Sequence, residues 1–547
     1  MRAKPARLRL LIVGAIALFA LLGLRATFLG VVKSGELSAF AANQHEVAFS
    51  TPAPRGAVLS ADGRELATDR PAVTVSATPF LITDPVGAAR RLGPIIGRDP
   101  AELEEQLDSD AGYALLARNV TPGDAERAKA LEIAGIDFVD TYERFLPRGP
   151  LAAQVIGLTN SDRVGISGVE QRYDGALTGV PGHRVEARDP FKRPLQVLDS
   201  DEAQPGHSVQ LTLNSVIQSK VEQVLMDTRE AFGAKSAMAV VMRPKDGSIL
   251  AMANVPRFNP ANRRTVNPML ERNRVISDVF EPGSTFKIVP IAGALEEGLV
   301  KPDTRFYLPS VLETYDRTLE DAHERPPINA SVTQILQQSS NIGTVLIAQR
   351  LGKERLLHWI DRFGFLKTTG IDFGGEAAGS RSEWSGVSIT NIPIGQGITV
   401  SLMQLLNAYA TIANGGYQVT PHLAARVGDT PVASERGPRV LSAATARKVD
   451  RMLRDVVDVE GTGGRAAVRG YAVAGKTGTA EKIDPETGEY VDKYVASFVG
   501  YLPADDPELL IAVVVDEPGY PYYGGDVAAP AFEQIAEYSL QMLEIAP

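Results

Sequence analysis

The sequence predicts an α+β fold in two parts behind one N-terminal membrane helix. Three observations predict it. An unbroken apolar run, Leu10–Leu24, follows a basic start. Strand-like runs lie at both ends of residues 206–547, and a long, mostly helical stretch separates them. At 547 residues the chain is too long for one ordinary core.

Arg2, Lys4, Arg7 and Arg9 precede the apolar run. Leu10–Leu24 alone would span ~22 Å as a helix, short of the ~30 Å hydrocarbon layer. Continuing through Ala26 to Val32 makes it long enough and includes Arg25, which can snorkel to the headgroups from the helix end. The basic flank assigns residues 1–9 to the cytoplasm, residues 10–32 to a signal anchor, and the rest to the extracytoplasmic side. A cleaved leader is the competing reading, through the A-x-A form of Ala39-Phe40-Ala41. That site lies well beyond the apolar run, where cleavage is unusual. No second run of this length and hydrophobicity occurs, so a single-pass protein is expected.

Residues 33–205 mix short β-like runs such as Ala72–Ala77 with charged helical stretches such as Pro100–Leu107 and Pro122–Glu132. Pro and Gly interrupt them often. From Pro205-Gly206 the pattern changes. Val209–Leu213 alternates as a strand, and Ser215–Arg229 reads as a helix. Ala237–Met242 and Ser248–Ala253 flank Lys245-Asp246-Gly247, a hairpin signal. Tyr494–Leu502 and Leu509–Asp516 form another strand pair, and Pro530–Leu543 has a helical pattern. Residues 206–547 are thus expected to hold an antiparallel sheet covered by its first and last helices, with a helical subdomain inserted between the strands.

Composition excludes several kinds of chemistry. There are no cysteines, so disulfides, thiol nucleophiles and cysteine-held metal sites are absent. The 6 histidines are scattered, and none pairs with another at a metal-binding spacing. The net charge of −10 argues against nucleic-acid binding. An enzyme here would work without a metal, a cofactor or a histidine base.

Three short motifs carry chemistry, in this order: Ser284-Thr285-Phe286-Lys287, Ser339-Ser340-Asn341 and Lys476-Thr477-Gly478-Thr479. Alone, each has a plain explanation. An S-x-x-K arises about once or twice by chance in a chain this long, given ordinary Ser and Lys usage. S-S-N can be a helix cap, and K-T-G-T a turn at a strand end. Together they make a mechanism. Glu281-Pro282-Gly283 ends in a turn, after which Ser284 opens a helix with Lys287 on the same face. A serine hydroxyl is a poor nucleophile until its proton is removed, and a lysine must remove it here. Burial lowers a lysine's pKa, and a second cation, Lys476, would lower it further. Ser339 can pass a proton between Lys287 and a leaving amine. Asn341 can hold a substrate amide. Thr477 and Thr479 beside Lys476 can hold a carboxylate. The apolar run Tyr471–Ala474 would set Gly478 and its neighbours on a sheet edge able to pair with an extended peptide. Backbone N–H groups of Ser284 and Thr479 would form an oxyanion hole.

This ordered set resembles that of penicillin-binding proteins and β-lactamases. The resemblance to class B penicillin-binding proteins extends over nearly the whole chain. It includes Asn273-Arg274, Glu281–Lys287, Gly397–Gly416 and Gly475–Thr479. Toward the N-terminus it includes Pro54-Arg55-Gly56, Asp62-Gly63-Arg64, Leu66-Ala67, Ala152–Gly157, Gly168-Val169-Glu170 and Tyr173-Asp174. Those elements resemble the family's pedestal module, assigned here to 33–205, with the transpeptidase domain at 206–547.

The resemblance implies that Ser284 attacks the D-alanyl-D-alanine end of a peptidoglycan stem peptide and that a neighbouring stem's amine resolves the acyl-enzyme. β-Lactams would acylate the same serine, and a multi-pass glycan polymerase would be the membrane partner. Glu-Pro-Gly before the serine looks more like division-type than elongation-type members. A D,D-carboxypeptidase or a β-lactamase would share the acyl-serine step. A non-catalytic scaffold of the wall-building machinery predicts damaged motifs, and all three are intact.

Overall fold

The computed structural model describes residues 5–35, 46–188, 194–261, 267–314, 317–434, 436–484 and 486–547. Arg2 and Lys4 of the basic flank and the A-x-A stretch Ala39–Ala41 lie outside the described residues. Among the described residues, one helical segment is long and apolar enough to cross a membrane. It is Arg9–Val32, with mean hydropathy 2.2 and no part buried in protein.

Contacts divide the chain into two compact units. One comprises Met1–Pro54, Pro71–Glu143 and Gly179–Gly206. The other comprises Arg55–Arg70, Arg144–Thr178 and His207–Pro547. A single cut near residue 205 is therefore not how the contacts divide, because Arg55–Arg70 and Arg144–Thr178 fold with the C-terminal unit. The reason is local. Val58–Leu59 pairs in parallel with Val209–Leu211, and Arg55 reaches Glu170.

In the first unit, helices Pro85–Ile96, Pro100–Leu107 and Pro122–Lys129 share one device. Each has a capping residue followed by a proline. Asp84, Asp99 and Thr121 accept from backbone N–H groups of the first turn, and proline sits where no N–H is needed. Val75, Leu92, Leu103 and Leu116 centre the core of this unit.

The second unit is built on a five-stranded antiparallel sheet. Its strands are β1 (Ser236–Met242), β2 (Ile249–Val255), β3 (Ala474–Ile483), β4 (Tyr490–Leu502) and β5 (Leu509–Asp516), in the order β2-β1-β5-β4-β3. β1, β2 and β5 read as continuous apolar runs because both faces are covered. On one face, Ala239, Val241, Ile511 and Val513 pack with Ser215–Ala231 and Gly524–Met542. On the other, Met238, Val240, Ala512 and Val514 join the core of the helical insertion, including Leu405 and Tyr409. The last helix begins at Gly524, ahead of the expected Pro530. Pro530 reads as a helix start but lies inside the helix, where proline is usually excluded. β3 is an edge strand with β4 as its one neighbour in the sheet.

Candidate active site

Ser284 lies on a tight turn pinned from three sides. Gly283–Lys287 is a 3₁₀ turn that runs into helix Ile288–Glu296, where an α-helical start is expected from the sequence. Side chains three apart eclipse in a 3₁₀ turn, so Ser284 and Lys287 still share one edge. Tyr409, fully buried, donates to the Thr285 carbonyl at 2.9 Å. Gly283 N donates to the Gly395 carbonyl at 3.2 Å. Phe286 is buried against Phe365, with ring centroids 5.0 Å apart. Glu281 accepts from Gly397 N at 2.7 Å and from the Tyr490 hydroxyl at 3.0 Å.

Glycine is required where β3 crosses this turn. Gly283 has φ +54°, and a Cβ there would lie 2.9 Å from the Thr479 carbonyl oxygen. A Cβ on Gly478 would meet Ser497 Oγ at 2.3 Å and Thr285 Cγ2 at 2.9 Å. The third motif therefore lies directly on the first.

Lys287 has no exposed surface. Its ammonium donates to the Ser339 carbonyl at 2.5 Å, to Ser339 Oγ at 3.2 Å and to Asn341 Oδ1 at 2.7 Å. All three acceptors are neutral, so none replaces the stabilisation lost with water. Burial pulls the Lys287 amine down to about 7, and the nearby Asp321 charge opposes this only in part. Lys476 is equally buried and lies well below the usual lysine range, first through burial and then through the Lys287 charge. The sequence suggests that Lys476 lowers Lys287. In the structure burial is the larger cause for both amines, and the mutual repulsion of the two charges adds to it.

The second motif is held by backbone strain and one carboxylate. Ser339 has φ +57°, uncommon for serine, in the link between helices Val332–Gln337 and Asn341–Leu351. Ser340 caps the second of these through Gly343 N at 3.0 Å. Its hydroxyl lies 3.0 Å from both oxygens of Asp321, which also accepts from Ile342 N at 3.0 Å. Asn341 Nδ2 donates to the Glu320 carbonyl at 3.0 Å, turning Oδ1 toward Lys287.

On β3, Lys476 Nζ donates to the Thr477 carbonyl at 3.2 Å and to Thr477 Oγ1 at 3.3 Å. Thr477 Oγ1 lies 2.8 Å from Thr462 Oγ1, and Thr479 Oγ1 accepts from Gly524 N at 3.0 Å. Next to Gly524, Tyr523 lies 4.8 Å from Tyr522, and Tyr522 stacks on Tyr494 at 3.8 Å.

The structure thus gathers Ser284, Lys287, Ser339, Asn341, Lys476, Thr477, Gly478 and Thr479 in one unit. Sequence reasoning missed Asp321, Tyr409, Gly395 and Thr462. None belongs to the three short motifs, and only the fold brings them close to those residues. Glu376, in the linker between the second and third motifs, accepts from Thr369 N and Oγ1, each at 2.7 Å, so its carboxylate serves a local turn. Among the described residues no group of three or more side chains could hold a metal ion.

The penicillin binding protein transpeptidase domain model matches residues 237–537, and the penicillin-binding protein dimerisation domain model matches residues 50–211. Peptidoglycan D,D-transpeptidase FtsI of Escherichia coli is 33% identical over 532 residues, covering 94% of this chain and 87% of that protein. Penicillin-binding protein PbpB of Mycobacterium tuberculosis is 34% identical over 557 residues, covering 94% and 81%. The crystal structure of penicillin binding protein 3 from Mycobacterium tuberculosis, complexed with aztreonam, is similar with a TM-score of 0.70 and 30% identity. It covers 91% of this chain and 98% of that one.

Proposed function

The chain belongs to the penicillin-binding protein transpeptidase family, in its class B, and from that premise we propose that Ser284 is its acylated nucleophile. It is a serine-type peptidoglycan D,D-transpeptidase of cell-wall synthesis. The observation that carries the site assignment is the state of Lys287. It is a fully buried amine near pKa 7 with only neutral hydrogen-bond partners, on the same short turn as Ser284.

Neutral Lys287 takes the Ser284 hydroxyl proton as Oγ attacks the carbonyl between the two terminal D-alanines of a stem peptide. Backbone N–H groups of Ser284 and Thr479 receive the oxyanion. Ser339 relays the proton from Lys287 to the departing D-alanine amine, and the acyl group remains as an ester on Ser284. The side-chain amine of a second stem peptide then attacks the ester, losing its proton along the reverse path. Asn341 orients the donor amide, while Lys476, Thr477 and Thr479 hold its carboxylate, with Gly478 keeping the strand close. β-Lactams present the same carbonyl and carboxylate and acylate the same serine.

We assign residues 1–9 to a cytoplasmic tail, 10–32 to the membrane anchor, 33–205 to the pedestal and 206–547 to the transpeptidase domain. The apolar segment Arg9–Val32 supports the anchor. At about 36 Å of helix it exceeds the hydrocarbon thickness. The catalytic part would lie outside the cytoplasmic membrane, beside a multi-pass glycan polymerase.

The test is partition of the acyl-enzyme. Full-length protein in detergent would receive a thioester donor ending in D-alanine, with a D-amino acid as acceptor amine. The expected product is the new amide, absent in Ser284→Ala. Hydrolysis alone, at saturating acceptor, would assign the site to a carboxypeptidase.

A further inference from the structure

The catalytic unit holds a second recess of about 380 Å³, lined by residues that flank the first and third motifs, Glu281 and Glu481 among them. Its floor is formed by Met238, Val495 and Val514 on the insertion-facing side of the sheet, and Phe280 lines it as well. That volume is at the small end for ligand sites.

Most of the charges around it are already engaged. Arg272 pairs with Asp278 at 2.5 Å, Lys482 with Asp516 at 2.7 Å and Lys235 with Glu517 at 2.9 Å. Glu281 is held by Gly397 N and the Tyr490 hydroxyl. Glu481 is exposed to solvent. Arg274 differs from all of these. It lines the recess and is half-buried, yet its guanidinium has no hydrogen-bond or ion-pair partner among the described residues. A guanidinium cannot shed its charge, and partial burial without a partner is costly. Its planar fork matches a carboxylate. A dianionic phosphate would bring a second charge among Asp278, Glu281 and Asp516, so a single negative charge fits better.

We propose that this recess is a second ligand site for a small apolar carboxylate, with its carboxylate on Arg274 and its apolar body on Met238, Val495 and Val514. The site is joined to the catalytic residues through the chain. Val279–Phe280 runs through Glu281 into the turn that carries Ser284. Glu481–Ile483 continues the strand that carries Lys476–Thr479. Occupancy therefore changes the rate at which Ser284 is acylated.

The probe is N-acetyl-leucine, with N-acetyl-leucinamide as its neutral twin, followed by ligand-detected NMR on the full chain. Binding is measured on wild-type protein already acylated by penicillin, which blocks the catalytic cleft, and on Ser284→Ala. This keeps the result independent of the Ser284 assignment. Saturable binding is expected in both. It should weaken tenfold or more in Arg274→Gln and for the neutral twin, and Arg274→Lys should fall between. Penicillin labelling of the Arg274 variants verifies that they fold. Absent saturation, equal binding by Arg274→Gln or by the twin, or loss of binding on acylation overturns the site. On unacylated protein, saturating probe should change the penicillin acylation rate at least twofold, and the change should vanish in Arg274→Gln. An unchanged wild-type rate overturns the coupling.

Discussion

The side chains of Arg55, Arg144, Asp69 and Glu170 are nearly as deeply buried as Lys287 and Lys476, yet the protein treats the two groups of charges in opposite ways. The arginines and carboxylates have side-chain exposures of 1–3%, and each charge meets an opposite one. Arg55 meets Glu170 at 2.7 Å and Asp174 at 2.7 Å. Arg144 meets Glu170 at 2.7 Å and Asp69 at 3.1 Å. The lysines meet neutral acceptors, and the charge of Lys287 bears on Lys476. Paired burial preserves charge and fixes the chain, here clamping Arg55–Arg70 to Arg144–Thr178. Unpaired burial lowers the pKa and, in the role proposed for Lys287, supplies a base. The first arrangement is architectural and the second chemical, and substitutions should separate them.

The sharpest separation is Lys287→Met. Loss of the base should slow penicillin acylation by about 10³-fold. Thermal stability should hold or rise, because methionine fills the space without a buried amine. Stopped-flow acylation and a melting curve on the same preparation read both. A large fall in melting temperature would mean the lysine is structural.

Glu170→Gln should do the reverse. It leaves Arg55 and Arg144 buried without their shared carboxylate, at a cost of ~3–5 kcal/mol. Denaturant unfolding should show that loss, while the folded fraction acylates within about twofold of wild type.

Asp321→Asn should fall between the two. The carboxylate touches neither Lys287 nor Ser339, but it holds Ser340 and Ile342 N beside them. Loosening that link should lower acylation about 10- to 100-fold through misplacement, with a smaller stability loss than Glu170→Gln.

The mildest test is pH. Acylation should rise roughly tenfold per pH unit below about 7 and level off above it, as Lys287 becomes neutral. The same proton balance has a stability signature. The Lys287 amine is lowered in the folded state, so between about pH 7 and the usual lysine range the unfolded chain binds more protons. Stability should rise with pH across that window in wild type and lose this increment in Lys287→Met.

Much of this was readable in the sequence because it is local. Caps followed by proline, alternating strands and the three short motifs are each written in a few adjacent residues. Pro100–Leu107 and Leu509–Asp516 fall where the pattern puts them. What could not be read depends on distant residues meeting. Asp321 supports Ser340 from a separate strand end. Tyr409 reaches Thr285 from a buried helix, and Arg55 finds Glu170 across more than a hundred residues. The start of the last helix was read too late because Pro530 imitates a helix start. The folding of Arg55–Arg70 and Arg144–Thr178 with the C-terminal unit could not be read either, because a parallel pairing, Val58 with Val209, leaves no local mark.

The most direct test is the identity of the acylated residue. Full-length protein would be incubated with a penicillin, weighed intact and mapped by peptide mass spectrometry, beside Ser284→Ala. One penicilloyl adduct is expected, on the peptide containing Ser284, and none on the folded variant. An adduct on another residue, or one that persists in Ser284→Ala, would contradict it.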